Sequence, residues 1–147
     1  MLTNLIEINK SIQTLLNVVK VGKVSSINIE NGTIDVVFED KDNMICPNLP
    51  LMDIEYKIPA IGEQVLCLFL PNGIQQGFCL GKFYSATNPP PKQDPNIICK
   101  QFADDTYIEY NKKTKQLTIN SSTNIIINGN VTVNGNITAD NISKEGV

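Results

Sequence analysis

Residues 124–141 read NIIINGNVTVNGNITADN, and no other stretch narrows the possible folds of this chain as much. From Ile125 to Ala139 every odd position is Ile, Val, Ala or Gly, and every even position except Ile126 is Asn or Thr. A six-residue unit, INGNVT at 127–132, returns as VNGNIT at 133–138. A period of two belongs to extended backbone, whose successive side chains point to opposite sides. One side is then dry, carrying Ile125, Ile127, Val131, Val133, Ile137 and Ala139, with Ile142 just beyond; the other side is amide and hydroxyl.

Such a ribbon cannot order itself alone. Fixing each backbone residue costs about 1–2 kcal/mol, and that cost falls on every residue of the ribbon. Only six side chains return apolar burial, at about 1.5–3 kcal/mol each for the larger ones. A solenoid built from one chain needs several coils of three hexads, and here there are two clean hexads and a degenerate third. The remaining solution is identical ribbons from separate chains closing around an axis, which also removes open sheet edges. Three chains suit small aliphatic fillers, so a homotrimeric β-prism is expected.

Upstream, residues 3–20 read as a helix. Leu5, Ile8, Ile12, Leu15 and Val19 recur at spacings of three and four, the stripe of a helix that packs on its own domain, on copies of itself or on a partner. Asn4 stands in a capping position with Glu7 three residues on. Residues 21–87 read as all-β. An Asn31-Gly32 turn joins two alternating runs, and a short strand lies near NMICPNL. The pair IGEQVLCLFL and GFCLGKFY is separated by a PNG turn. Five strands in this length predict a small barrel of the oligonucleotide/oligosaccharide-binding type, with Gly62, Gly77 and Gly81 at bends or close approaches. Residues 88–96, NPPPKQDPN, form a stiff spacer. Residues 97–147 form the needle, entered through a strand, turn and strand at TYIEY, NKKTK and QLTIN. The expected class is therefore mostly β, with an N-terminal helix, a small barrel and an intertwined trimeric tail.

Charge and residue chemistry exclude several functions. The net charge is −3, and residues 21–87 carry four lysines against eight carboxylates. A nucleic-acid binder needs a positive footprint, so none is expected, although such barrels often bind single strands. The aromatic residues Phe38, Tyr56, Phe69, Phe78, Phe83 and Tyr84 fall at strand positions expected in the core. The chain has no histidine, which removes the Ser-His and Cys-His pairs of nucleophilic catalysis. The adjacent Asp104 and Asp105 read as a solvated turn, and no enzyme activity is expected. Cys46, Cys67, Cys79 and Cys99 have no metal-site spacing and read as reduced structural thiols of a protein assembled in a cytoplasm. No run reaches the roughly 20 apolar residues of a membrane span, and no secretory signal precedes the helix.

The order of these parts resembles the baseplate assembly protein V family, the central spikes of contractile phage tails, related to the spikes of tailocins and type VI secretion systems. VGKVSSINIENGTIDVVF and IPAIGEQVLCLFLPNGIQQGFCLGKFYSATNPPP carry the barrel part of the resemblance, and DDTYIEYNKKTKQLTI with the NGNVTVNGNIT repeats carries the rest. Pro59, Gly62, Glu63, Gln64, Val65, Leu80 and Gly81 match the family pattern in type and order. The resemblance implies a homotrimer in the baseplate of a phage or tailocin particle, touching hub and tube proteins and driven through the target cell envelope when the sheath contracts. Many members hold an apical iron through a His-x-His motif. Without histidine this chain is expected to hold none, and its tip is closed by packing near Ile142 and Val147 or by a separate capping protein. A trimeric fibre or adhesin is the other reading of the tail.

Overall fold

The computed structural model describes residues 1–16, 18–71 and 76–143. The chain divides into two compact units, the first from Met1 to Pro90 and the second beginning at Pro91.

The first unit opens with helix α1, Leu2–Leu16, none of whose residues is buried. Two sequence expectations need correction here. The helix begins before Asn4, since the Leu5 N–H already donates to the Met1 carbonyl at 3.3 Å, so Asn4 lies inside the helix and does not cap it. The helix also stops at Leu16, and Val19 opens strand β1, Val19–Asn28, where it pairs with Leu68. Val19 and Val21 stand two apart on one face of β1, and the period of two prevails over the last step of the helical stripe.

Strands β2 (Thr33–Phe38), β3 (Met44–Pro50), β4 (Gln64–Phe69) and β5 (Gly77–Gly81) join β1 in one sheet of order β3-β2-β1-β4-β5. Every named ladder is antiparallel. Register shifts between Val24 and Ser26, and between Ile34 and Val36, mark bulges that bend the sheet. Just past the end of β3, Leu51 meets Cys79 of β5 in one parallel bridge among the described residues, where the Met52 N–H donates to the Cys79 carbonyl at 3.1 Å. The sheet is curled, but no continuous ladder closes it into a barrel.

The concave side holds the core: Val24, Ile34, Val36, Phe38, Cys46, Leu49, Val65, Cys67, Phe69 and Cys79, with Ile27, Met44 and Leu51 packed at its margin. Phe38 and Phe69 meet edge to face at 5.8 Å, and the Lys20 ammonium lies 5.2 and 4.9 Å from their ring centres. Only these two aromatic residues are in the core. Tyr56, Phe78 and Tyr84 are exposed and Phe83 is half-buried; for Phe78 the reason is that β5 turns Cys79 inward and Phe78 and Leu80 outward.

In the second unit β6 (Ile97–Gln101), β7 (Tyr107–Asn111) and β8 (Gln116–Asn120) form an antiparallel sheet in chain order. The last two are the strands expected around the NKKTK turn, whose Lys113 and Thr114 N–H groups donate to the Asn111 side chain. Strand β6 has no counterpart in the sequence reading. Asp104 and Asp105 sit in the β6–β7 turn with φ of 54° and 57°. Beyond β8, residues 121–143 form no strand ladder, and no described residue of this unit is buried.

Gly22 shows how tightly the first sheet is folded on itself. A Cβ there would lie 2.4 Å from Val36 Cγ1, 2.8 Å from the Val37 carbonyl and 2.9 Å from the Phe38 ring. Gly22→Ala is expected to destabilise the first unit by about 1–3 kcal/mol, the cost of overpacking, and a urea melt read by circular dichroism measures it.

Candidate assembly interface

Side chains that should be dry are exposed in three places. The first is α1. Leu5, Ile8, Ile12 and Leu15 all face solvent, on a helix whose only charged side chains are Glu7 and Lys10. The second is one face of the β6–β7–β8 sheet. The register sets Ile98 beside Tyr110 and Tyr110 beside Leu117, and likewise sets Ile108 beside Ile119. Side chains directly opposite in a ladder share a face, so these five make one continuous patch, and all are exposed. The reverse face is polar at its middle, with Glu109 between Cys99 and Thr118. The Lys92 ammonium pairs with Glu109 at 3.1 Å and lies 5.1 Å from the Tyr107 ring, and the hydrogen bond to Glu109, together with its charge, raises the Lys92 pKa.

The third place is the tail. Ile125, Ile127, Val131, Val133 and Ile137 are between 48% and 65% exposed, Ile142 is 77% exposed, and Ala139 is exposed too. Residues 121–143 form no strand, and no strand among the described residues pairs with them. Val147 lies outside the described residues.

The residues singled out in the first unit do something different: they tie strand ends together. Pro59 is buried, and Gly62 takes φ of 86° so that its N–H reaches the Val24 carbonyl at 2.8 Å. The Glu63 carbonyl accepts the Val24 N–H at 3.0 Å. Its carboxylate accepts the Ala60 N–H at 2.8 Å and pairs with Lys82. Gln64 opens β4 opposite Lys23, Val65 is fully buried, and Gly81, with φ of 105°, pairs with Leu66. Leu80 is the exception, pointing outward at 39% exposure. It lines a cleft of about 520 Å³ together with Leu51, Met52, Ile54 and Tyr56.

Two carboxylates are perturbed here. Burial raises the Glu63 pKa, but hydrogen bonds from Lys82 and Ala60, with the charges of Lys82 and Lys57, outweigh it and hold the carboxyl below its usual range. Asp35 is lowered by hydrogen bonds from the Ser26 hydroxyl at 2.6 Å and the Asn48 N–H at 2.9 Å. Residues such as Ile98, Ile108 and Asp35 escaped the sequence reading. The alternation of TYIEY could have exposed the sheet face, whereas no pattern marks the Asp35 contacts.

Compared with known proteins, the chain matches no family model. Over 61 residues it is 36% identical to the spike protein of Escherichia phage P2, a stretch amounting to 42% of this chain and 29% of that protein. The chain thus spans under a third of the relative's length. Over that stretch it is similar to a phage spike protein.

Both perturbed carboxyls are more acidic folded than unfolded, so each stabilises the fold above its unfolded pKa and loses that contribution as pH falls through its folded value. Thermal stability is expected to drop as the pH is taken below about 4. Glu63→Gln should lower the melting temperature at neutral pH and flatten this acid limb, as differential scanning calorimetry across pH would read.

Proposed function

We propose that the chain is the central spike of a contractile phage tail or tailocin baseplate, acting as a homotrimer. The observation that carries this reading is the tail: a stripe that alternates from Ile127 to Ala139, exposed and without a strand partner among the described residues, in a chain similar over 61 residues to a phage spike protein. Three copies would bury the stripe around one axis and complete each other's backbone hydrogen bonds. The β6–β7–β8 patch would extend the same closure towards the N-terminus of the needle.

The first unit supports the reading through its topology. The order β3-β2-β1-β4-β5, with the outer strands meeting in parallel, is the strand order of the oligonucleotide/oligosaccharide-binding barrel. On this reading the unit is such a barrel, and it and α1 are the surfaces for the hub and tube proteins. The work is mechanical: the needle is pushed through the target envelope when the sheath contracts. No cofactor and no nucleic acid takes part, and the apex closes by apolar packing or under a separate cap.

Sedimentation at micromolar concentration should report three copies per particle, and a monomer would sink the proposal. Val133→Asp sets three carboxylates around the axis, and uncompensated buried charge costs several kcal/mol per ion. The substitution should dissociate the trimer or lower its melting temperature sharply. An unchanged sedimentation coefficient and melting curve would show that Val133 does not face other copies.

A further inference from the structure

Two thiols in the core of the first unit face each other directly. Cys67 on β4 and Cys79 on β5 are register partners, and both are fully buried. The Leu70 N–H donates to the Gln76 carbonyl at 2.8 Å, which makes that pair a hydrogen-bonded one. Hydrogen-bonded and non-hydrogen-bonded pairs alternate along an antiparallel ladder. Counting inward from Leu70, Cys67 and Cys79 form a non-hydrogen-bonded pair. The Cys79 carbonyl agrees, because it turns away from β4 to accept the Met52 N–H. Such pairs bring Cα atoms to about 4.5 Å, within the span a disulfide accepts.

We propose that Cys67 and Cys79 are a modification site: a thiol pair that a low-molecular-weight disulfide such as oxidised glutathione closes into a cross-strand disulfide in the folded chain. Access comes through β5, an edge strand whose outer side is held by one bridge to Leu51. Parting that bridge uncovers Cys79 first, since β4 stays paired to β1. The Cys79 thiolate attacks one glutathione sulfur and releases one glutathione thiolate. The Cys67 thiolate then attacks Cys79 Sγ and expels the second. Two thiols become one disulfide, two electrons pass to glutathione, and the two protons end on the glutathione thiols.

The surroundings favour Cys79 as the attacking group. Its hydrogen bond from the Cys67 thiol pulls it down to about 7, against burial, with help from the Gly81 N–H. The same bond and burial push Cys67 up, countered by the nearby Lys20 ammonium. Cys46 stands beside the pair, but burial raises it, and Asp35 raises it further against Lys20. A thiol near ambient pH attacks fastest in exchange. The pair would stay reduced in a cytoplasm and close in an oxidising medium.

The test uses the full chain with Cys99→Ser, so that the half-buried thiol of the second unit does not compete. The folded protein is incubated with oxidised glutathione without denaturant, then unfolded, alkylated and mapped by mass spectrometry. Expected are one remaining free thiol, at Cys46, and a peptide cross-linked through Cys67 and Cys79. Adding Cys67→Ala should leave glutathione stranded on Cys79. Three free thiols, an unresolved adduct on Cys79 while Cys67 is present, a bridge through Cys46, or closure only in urea would each overturn the proposal. The same map on the unsubstituted chain guards against an effect of the background substitution.

Discussion

Backbone outside helices and sheets still has to satisfy its N–H and C=O groups, and among the described residues no strand pairs with 121–143. In a folded domain nearly all such groups find partners. Here they and the dry stripe beside them share one deficit, because a neighbouring strand supplies hydrogen bonds and apolar cover together. The β6–β7–β8 sheet shows the same deficit in milder form, with its ladders made and its apolar face open. Going from the first sheet to the second and then to the tail, the chain satisfies progressively less of itself.

The first unit has the opposite economy. Ten buried apolar residues lie in one cluster, and strand ends are tied by short contacts around Gly62, Glu63 and Asp35. Its polar contacts sit where the sheet is weakest. Asp35 bridges the bulged β1 through Ser26 and the left-handed Asn48 of β3. Glu63 joins the start of β4 to Lys82 just after β5. Lys20 covers the two core rings with a cation that keeps its head near solvent.

How far the sequence is legible follows from the range of each interaction. The β1–β2 hairpin is readable because Asn31-Gly32 and the flanking alternation are neighbours in sequence, and Gly32 does take φ of 63°. The pairing of β1 with β4 spans some forty residues and leaves no local mark, and the same holds for the near-closure through Leu51 and Cys79. The end of α1 was misplaced because Val19 suits both the helical stripe and the strand that follows. Strand β6 leaves little local mark, because IICKQ is short and does not alternate. Tyr56 and Phe78 are expected inside from their strand positions, yet Tyr56 lies outside any strand and side-chain parity in β5 turns Phe78 outward. In the tail, alternation reports which side chains share a face. It says nothing of where the partner strand comes from.

That distinction governs how the two units depend on each other if the tails close as three. A ribbon with two hexads gains little from each contact, so free tails would meet only at high concentration. Joined to a unit that folds by itself, each tail is held near its neighbours once the first units or their helices associate, and the remaining closure becomes intramolecular. Sparse charge in the tail, where Asp140 is the sole charged residue from Asn120 to Ile142, would keep the like-charge repulsion of a symmetric assembly small. Under that proposal the order of assembly would follow burial: the unit with a core first, the open sheet next, and the repeats last.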